Sequence, residues 1–199
     1  MKFLIFTIFI IMFFLKTGNV LSEKSIFNVN NIEIETRKSG VVINGKQSSG
    51  LLFEREENSF RQLSEIILKK VDIYRQRFFN DSSIFIKEFP SEIKFQHSWF
   101  IKLSKEGHLN SHIHSTGWLS GVIYIKLPKK NINSDEGDIV FSYDGDNYPK
   151  LQTNYSEKNF KTKEAKILLF PSSLFHKTIP IKSNEERISI AFDIAPKEM

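Results

Sequence analysis

At 199 residues the chain has room for one domain with a full hydrophobic core and little room for a second. Hydrophobic residues at 40% and charged residues at 26% exclude a disordered or fibrous chain. The net charge of +5 comes from 28 basic and 23 acidic residues scattered along the sequence, so no nucleic acid is expected as a partner. The absence of cysteine excludes disulfide frameworks, thiolate nucleophiles and Cys-ligated zinc.

The chain opens on an apolar run, Phe3 to Leu15, broken only by Thr7. It is short for a bilayer span and of the right length for the core of a signal peptide. Val20 and Ser22 are small enough to precede cleavage before Glu23. Residues 1–22 are therefore expected to be a signal peptide or membrane anchor, and 23–199 the folded domain. That expectation carries a secretory or exported location, with membrane association through residues 3–15 where the segment is retained.

Residues 23–57 alternate short apolar stretches, Ile32 to Ile34 and Val41 to Ile43, with Gly and Ser, the pattern of edge strands and turns. From Ser59 the period changes. Phe60, Leu63, Ile67, Val71, Tyr74 and Phe78 recur at helical spacing, and Ser59 with Gln62 matches a capping box, predicting an amphipathic helix to about Phe79 that braces one face of a sheet. Beyond Pro90 come five strand-like segments: Ile93 to Leu103, Trp118 to Leu127, Asp138 to Tyr143, Lys166 to Phe170 and Arg187 to Ile194, separated by turn-rich stretches. The series predicts a mainly β fold with a flanking helix, an antiparallel jelly roll.

Two residues apart on an extended segment, His112 and His114 can turn both imidazoles toward one metal ion. His176 offers a third ligand from a distant part of the chain, and in a jelly roll such remote strands lie side by side. His97 and His108 read as ordinary surface or core residues, Trp99 and Trp118 as packing, and Asp144 and Asp146 as a turn. The strand from Arg187 places Ile188, Ile190 and Phe192 on one face and Arg187, Ser189 and Ala191 on the other. An interior Arg is costly unless it meets an anion, and a carboxylate ligand, helped by the Ser189 hydroxyl, would satisfy it.

Gly107 to His114, Leu119 to Ile125, Gly137 to Phe141, Leu169 to Ser172 with His176, and Arg187 to Ile190 stand in the order of a known family. Trp99 through Phe192 resembles the small 2-oxoglutarate–Fe(II) oxygenases of bacteria and phages, related to the prolyl 4-hydroxylase catalytic domain. The resemblance implies a double-stranded β-helix, Fe(II) held by His112 and His176 with position 114 completing the set, and 2-oxoglutarate anchored by Arg187. It also makes Tyr124 and Ser189 candidate co-substrate contacts, with O2 as the other reactant and hydroxylation of a small molecule or protein side chain as the outcome. One departure stands out: the wider superfamily uses two His and one carboxylate, and this chain has His114 where Asp would be. Either three imidazoles bind the iron, or His114 stands behind a water. A cupin-like metalloprotein without 2-oxoglutarate is the main rival, and Arg187 discriminates against it. A third reading is an exported β-domain without catalysis.

Overall fold

The computed structural model describes residues 11–14, 36–37, 39–48, 51–131, 133–150 and 155–197. Two antiparallel sheets form its centre. The larger is built from β1 (Ile11–Phe14), β2 (Thr36–Arg37), β3 (Val42–Ser48), β4 (Ile93–Leu109), β5 (Leu119–Lys126), β8 (Lys166–Pro171) and β10 (Arg187–Pro196), in the spatial order β1-β8-β5-β10-β4-β3-β2. The smaller holds β6 (Ile139–Ser142), β7 (Lys158–Phe160) and β9 (Phe175–Thr178), in the order β7-β6-β9. This is the expected double-stranded β-helix. Its neighbours in space are strangers in sequence, β8 beside β5 and β9 beside β6, as closure of such a roll requires.

The helix predicted from periodicity is α1 (Asn58–Phe78), and its buried face is Phe60, Leu63, Ile67, Val71 and Tyr74. These side chains pack on Ile188, Ile190, Phe192 and Ile194 of β10 and on Ile167 and Leu169 of β8. Burying each large side chain contributes about 1.5–3 kcal/mol, so this one contact area accounts for much of the cohesion of the fold. The expected capping box does not form. The helix begins one residue before Ser59, so Ser59 falls inside it, the N-cap is Glu57 and no side chain caps it. A second, four-residue helix, α2 (Ile84–Lys87), is capped by the Ser83 hydroxyl.

Each of the five predicted strands is present, and β4 runs six residues beyond its expected end at Leu103. Among the described residues three strands were not anticipated: β7 and β9, both too short to show a period, and β1, which lies in the run read as a targeting segment. The other face of the large sheet looks toward the small one. Val122, Tyr124, Leu168 and Phe170 meet Ile139 and Phe141 there, while Ile101, Leu103, Leu109, Ile181 and Ala191 close the adjoining region.

Part of the apolar run near the amino terminus is β1, whose Ile11 lies opposite Leu169 and whose Phe14 lies opposite Lys166 at the edge of the large sheet. The rest of that run, the cleavage position before Glu23 and the stretch Ile32 to Ile34 lie outside the described residues. Among the described residues no helix is long and apolar enough to cross a membrane.

Candidate metal centre and co-substrate pocket

The three histidines meet. His112 lies just beyond the end of β4 and pairs with His176 of β9 through two backbone hydrogen bonds, His112 N to His176 O at 3.1 Å and His176 N to His112 O at 3.0 Å. The backbone N–H of His114 donates to Ser172 O at 3.0 Å, tying the same loop to the end of β8. Ring centroids are 4.2 Å apart for His112 and His176, 4.9 Å for His114 and His176, and 5.2 Å for His112 and His114. One nitrogen from each ring falls within 4.8 Å of the others.

The hydrogen bonds assign the tautomers. His112 Nδ1 faces Asn110 O at 2.7 Å, His176 Nδ1 faces Leu174 O at 3.0 Å, and His114 Nδ1 faces Asp193 Oδ1 at 2.5 Å. Carbonyl and carboxylate oxygens only accept, so each Nδ1 carries the proton and each Nε2 keeps a free lone pair. Free imidazole lone pairs suit a divalent first-row metal, and ligating imidazoles ordinarily donate their second N–H in this way. His114 shares the arrangement of the other two, which favours a ligand over a bystander behind a water.

Electrostatics agree. Burial holds His176 well below the ordinary histidine value, helped by the neighbouring His112 and His114. Burial likewise pushes His112 down to about 4. Both are neutral near pH 7, the form that binds a metal.

The histidines line one side of a cavity of about 150 Å³, and Arg187 and Ser189 line it too. Among the described residues Arg187 is the largest fully buried side chain, 1% exposed. Its Nε donates to Gly137 O at 3.2 Å and one terminal nitrogen donates to Ser189 Oγ at 3.0 Å. Among the described residues no carboxylate forms an ion pair with it. Asp138, whose charge it feels, is held by Lys130 Nζ at 2.5 Å. A guanidinium buried this far without an anionic partner is unfavourable, and an entering carboxylate would relieve it.

Tyr124 stands behind the Arg and does not line the cavity. Its ring centroid is 5.0 Å from the guanidinium carbon, and its buried hydroxyl has no hydrogen-bond partner among the described residues. Burial raises that hydroxyl to about 12, so it stays a neutral donor. The unpaired guanidinium and three convergent imidazoles fit a dicarboxylate beside a metal ion.

His97 and His108 lie outside the cluster. Trp99 lines the cavity with its ring 5.3 Å from that of His114, and Trp118 stacks on Phe85 at 5.9 Å. Asp144 pairs with Lys150 at 2.5 Å, in keeping with a turn. A more open groove of about 690 Å³, lined by Gln47, Gln96, His97, Trp99 and Thr116, reaches His114 from solvent. One residue of the site escaped the sequence reading: Asp193, the next step of the alternation Arg187, Ser189, Ala191. A carboxylate on the same inward face as Arg187 and Ser189 was the available signal.

A double-stranded β-helix whose cavity is lined by three clustered histidines and a buried Arg is the arrangement expected of a metal-dependent oxygenase of the 2-oxoglutarate class. Residues 97–193, just under half of the chain, match the family model described as "Putative 2OG-Fe(II) oxygenase". Among curated proteins none matches the chain by sequence. Solved structures do match in fold. HygX from Streptomyces hygroscopicus, solved with nickel and 2-oxoglutarate bound, is 14% identical with a TM-score of 0.62, covering 96% of this chain and 84% of its own. A Pseudomonas putida prolyl-4-hydroxylase is 13% identical with a TM-score of 0.61, covering 96% of this chain and 95% of its own. A Trichoplax adhaerens prolyl hydroxylase in complex with a hypoxia inducible factor peptide fragment is 14% identical with a TM-score of 0.61, covering 94% and 84%.

Proposed function

We propose that His112, His114 and His176 hold Fe(II) through Nε2, that Arg187 and Ser189 bind the distal carboxylate of 2-oxoglutarate, and that the enzyme hydroxylates a C–H bond of a substrate admitted through the groove beside His114. One observation carries the reading: three imidazoles with free Nε2 lone pairs share a single cavity with a buried Arg that no carboxylate of the described chain neutralises.

When bound, iron with 2-oxoglutarate and O2 supplies an oxidative decarboxylation to succinate and CO2 that inserts one oxygen atom into the substrate. The chain does the rest. The Asn110, Leu174 and Asp193 oxygens keep the three rings in one tautomer. Arg187, preset by Gly137 O and Ser189 Oγ, spends little freedom in gripping a carboxylate. Phe170, Val122, Ile139 and Ala191 keep the cavity apolar and limit water.

A cupin-like protein without 2-oxoglutarate would have no use for Arg187 at the far wall of the cavity. The Trichoplax relative holds a peptide, and another HygX structure holds hygromycin B, so both a side chain of a protein and a small molecule are substrate classes the fold admits. The composition of the amino-terminal run supports export: we propose that residues 1–22 direct the chain into a secretory route, and that their removal takes the edge strand β1 with them and leaves β8 as the edge of the large sheet. Mature protein beginning at Glu23 is expected, and a mature protein still beginning at Met1 would rule out cleavage.

The reaction is tested by anaerobic titration of metal-free protein with Fe(II) and 2-oxoglutarate. A visible charge-transfer band is expected only when both are present, and only while His176 is intact. A protein that binds Fe(II) but gives no band with 2-oxoglutarate would favour the cupin-like alternative.

A further inference from the structure

Beyond fixing the His114 tautomer, Asp193 has no part in the metal and co-substrate reading given above. It is 3% exposed, and among the described residues no Lys or Arg lies within ion-pair distance of it. Such a carboxylate is expensive to bury unless another cation offsets it. Its Oδ1 accepts from His114 Nδ1 at 2.5 Å and from Ser120 Oγ at 2.6 Å, and its Oδ2 lies 3.8 Å from His97 Nδ1.

The surroundings are built around this contact. Asp193 follows the inward alternation of β10, and where β10 pairs with β4 the register shifts just beyond it, with Gln96 of β4 as the extra residue between His97 and Phe95. Ser120 Oγ bonds Ser172 Oγ at 2.7 Å, and Ser172 O in turn receives the His114 backbone N–H. The loop carrying His114 closes down so tightly that a Cβ on Gly117 would sit 2.5 Å from Ser172 Oγ and 3.2 Å from Asp193 Cβ. No side chain fits there.

The three rings are also treated unequally. His112 and His176 receive neutral backbone carbonyls as partners, and only His114 receives a charged one. Fixing a tautomer needs no more than a carbonyl. A carboxylate adds charge: it makes the ligand more basic and shares its negative charge with the metal.

We propose that Asp193 is the carboxylate of this metal site, set one hydrogen bond outward, orienting His114 and returning to the ligand set the negative charge that three imidazoles lack. The inference rests on the three-His reading given above. In formal charge, three neutral imidazoles with Asp193 behind one of them equal two imidazoles and a directly bound carboxylate. The position normally filled by Asp is then a relay, and Asp193 is a positioning residue that acts through His114.

The test is a double-mutant cycle on the full chain with Co(II) as the probe, read by affinity and by the visible ligand-field spectrum under anaerobic conditions. Asp193→Asn, which keeps shape and removes charge, should weaken Co(II) binding about 10- to 100-fold. Asp193→Glu should recover part of the loss, and circular dichroism with metal-free melting will show that each variant folds. In a His114→Ala background the Asp193→Asn effect should shrink to within about two-fold, since an independent site would simply add. Undiminished Co(II) affinity in Asp193→Asn, or a loss that persists in full without His114, overturns the proposal while leaving the metal site standing. Failure of the unaltered protein to bind Co(II) overturns the three-His reading and this one with it.

Discussion

Replacing Arg187 with Met separates co-substrate binding from everything else the residue does. Met is similar in length and apolar, so no large void opens. In the ligand-free protein the change removes a buried charge that lacks an ion-pair partner among the described residues, and substitutions of that kind are commonly neutral or stabilising by about 1–4 kcal/mol. Against this, Ser189 Oγ loses its donor at about 1–3 kcal/mol, whereas Gly137 O keeps the Thr162 hydroxyl at 3.4 Å. The two nearly cancel, and metal-free melting should move little. Binding is different, because removing one member of a buried, hydrogen-bonded charge pair costs about 2–5 kcal/mol, which raises the 2-oxoglutarate Kd by about 30-fold or more. At 2-oxoglutarate 100 times its Kd, the metal-loaded protein should gain about 2.7 kcal/mol, or about 5–11 °C for a chain of this size. At the same concentration the variant should gain less than about 1 kcal/mol. Differential scanning fluorimetry with and without 2-oxoglutarate, beside a metal titration, reads all three quantities. Equal losses of metal and 2-oxoglutarate affinity, or an unchanged 2-oxoglutarate shift, would refute the assignment of Arg187 to the co-substrate.

Two further outcomes are expected. Ile67→Ala, at a fully buried position where α1 meets the sheet, should cost about 2–5 kcal/mol in urea unfolding and leave metal affinity in the folded protein unchanged; a cost near zero would mean that α1 does not brace the sheet as described. In chelator, stability should fall on acidification. His176 is held well below its ordinary value and His112 is pushed down to about 4, so the unfolded chain takes up protons first, and the contribution present above about pH 6.5 is lost as the pH drops toward 4. A His176→Gln variant should show a blunted loss, and a urea midpoint independent of pH across that range would contradict the buried, neutral state of these rings.

Much of this protein was legible from the chain alone, and for a local reason. The stripe from Phe60 to Tyr74 and the alternation from Arg187 to Phe192 are periodicities that a helix or strand imposes on its own residues, so they declare which face goes inward before any partner is known. The same alternation placed Arg187 and Ser189 inside, and the two-residue spacing of His112 and His114 made a shared metal conceivable. What the sequence left open depends on register between segments that are far apart. That His176 pairs with His112, that Tyr124 backs the guanidinium instead of lining the cavity, and that Asp193 reaches His114 across the bulge at β4 are decided by which strands lie side by side and with what offset. A shift of one residue there would turn each side chain to the opposite face. Only tertiary packing, chiefly the anchoring of β10 between β4 and β5 with its apolar face on α1, fixes that offset and so creates the site.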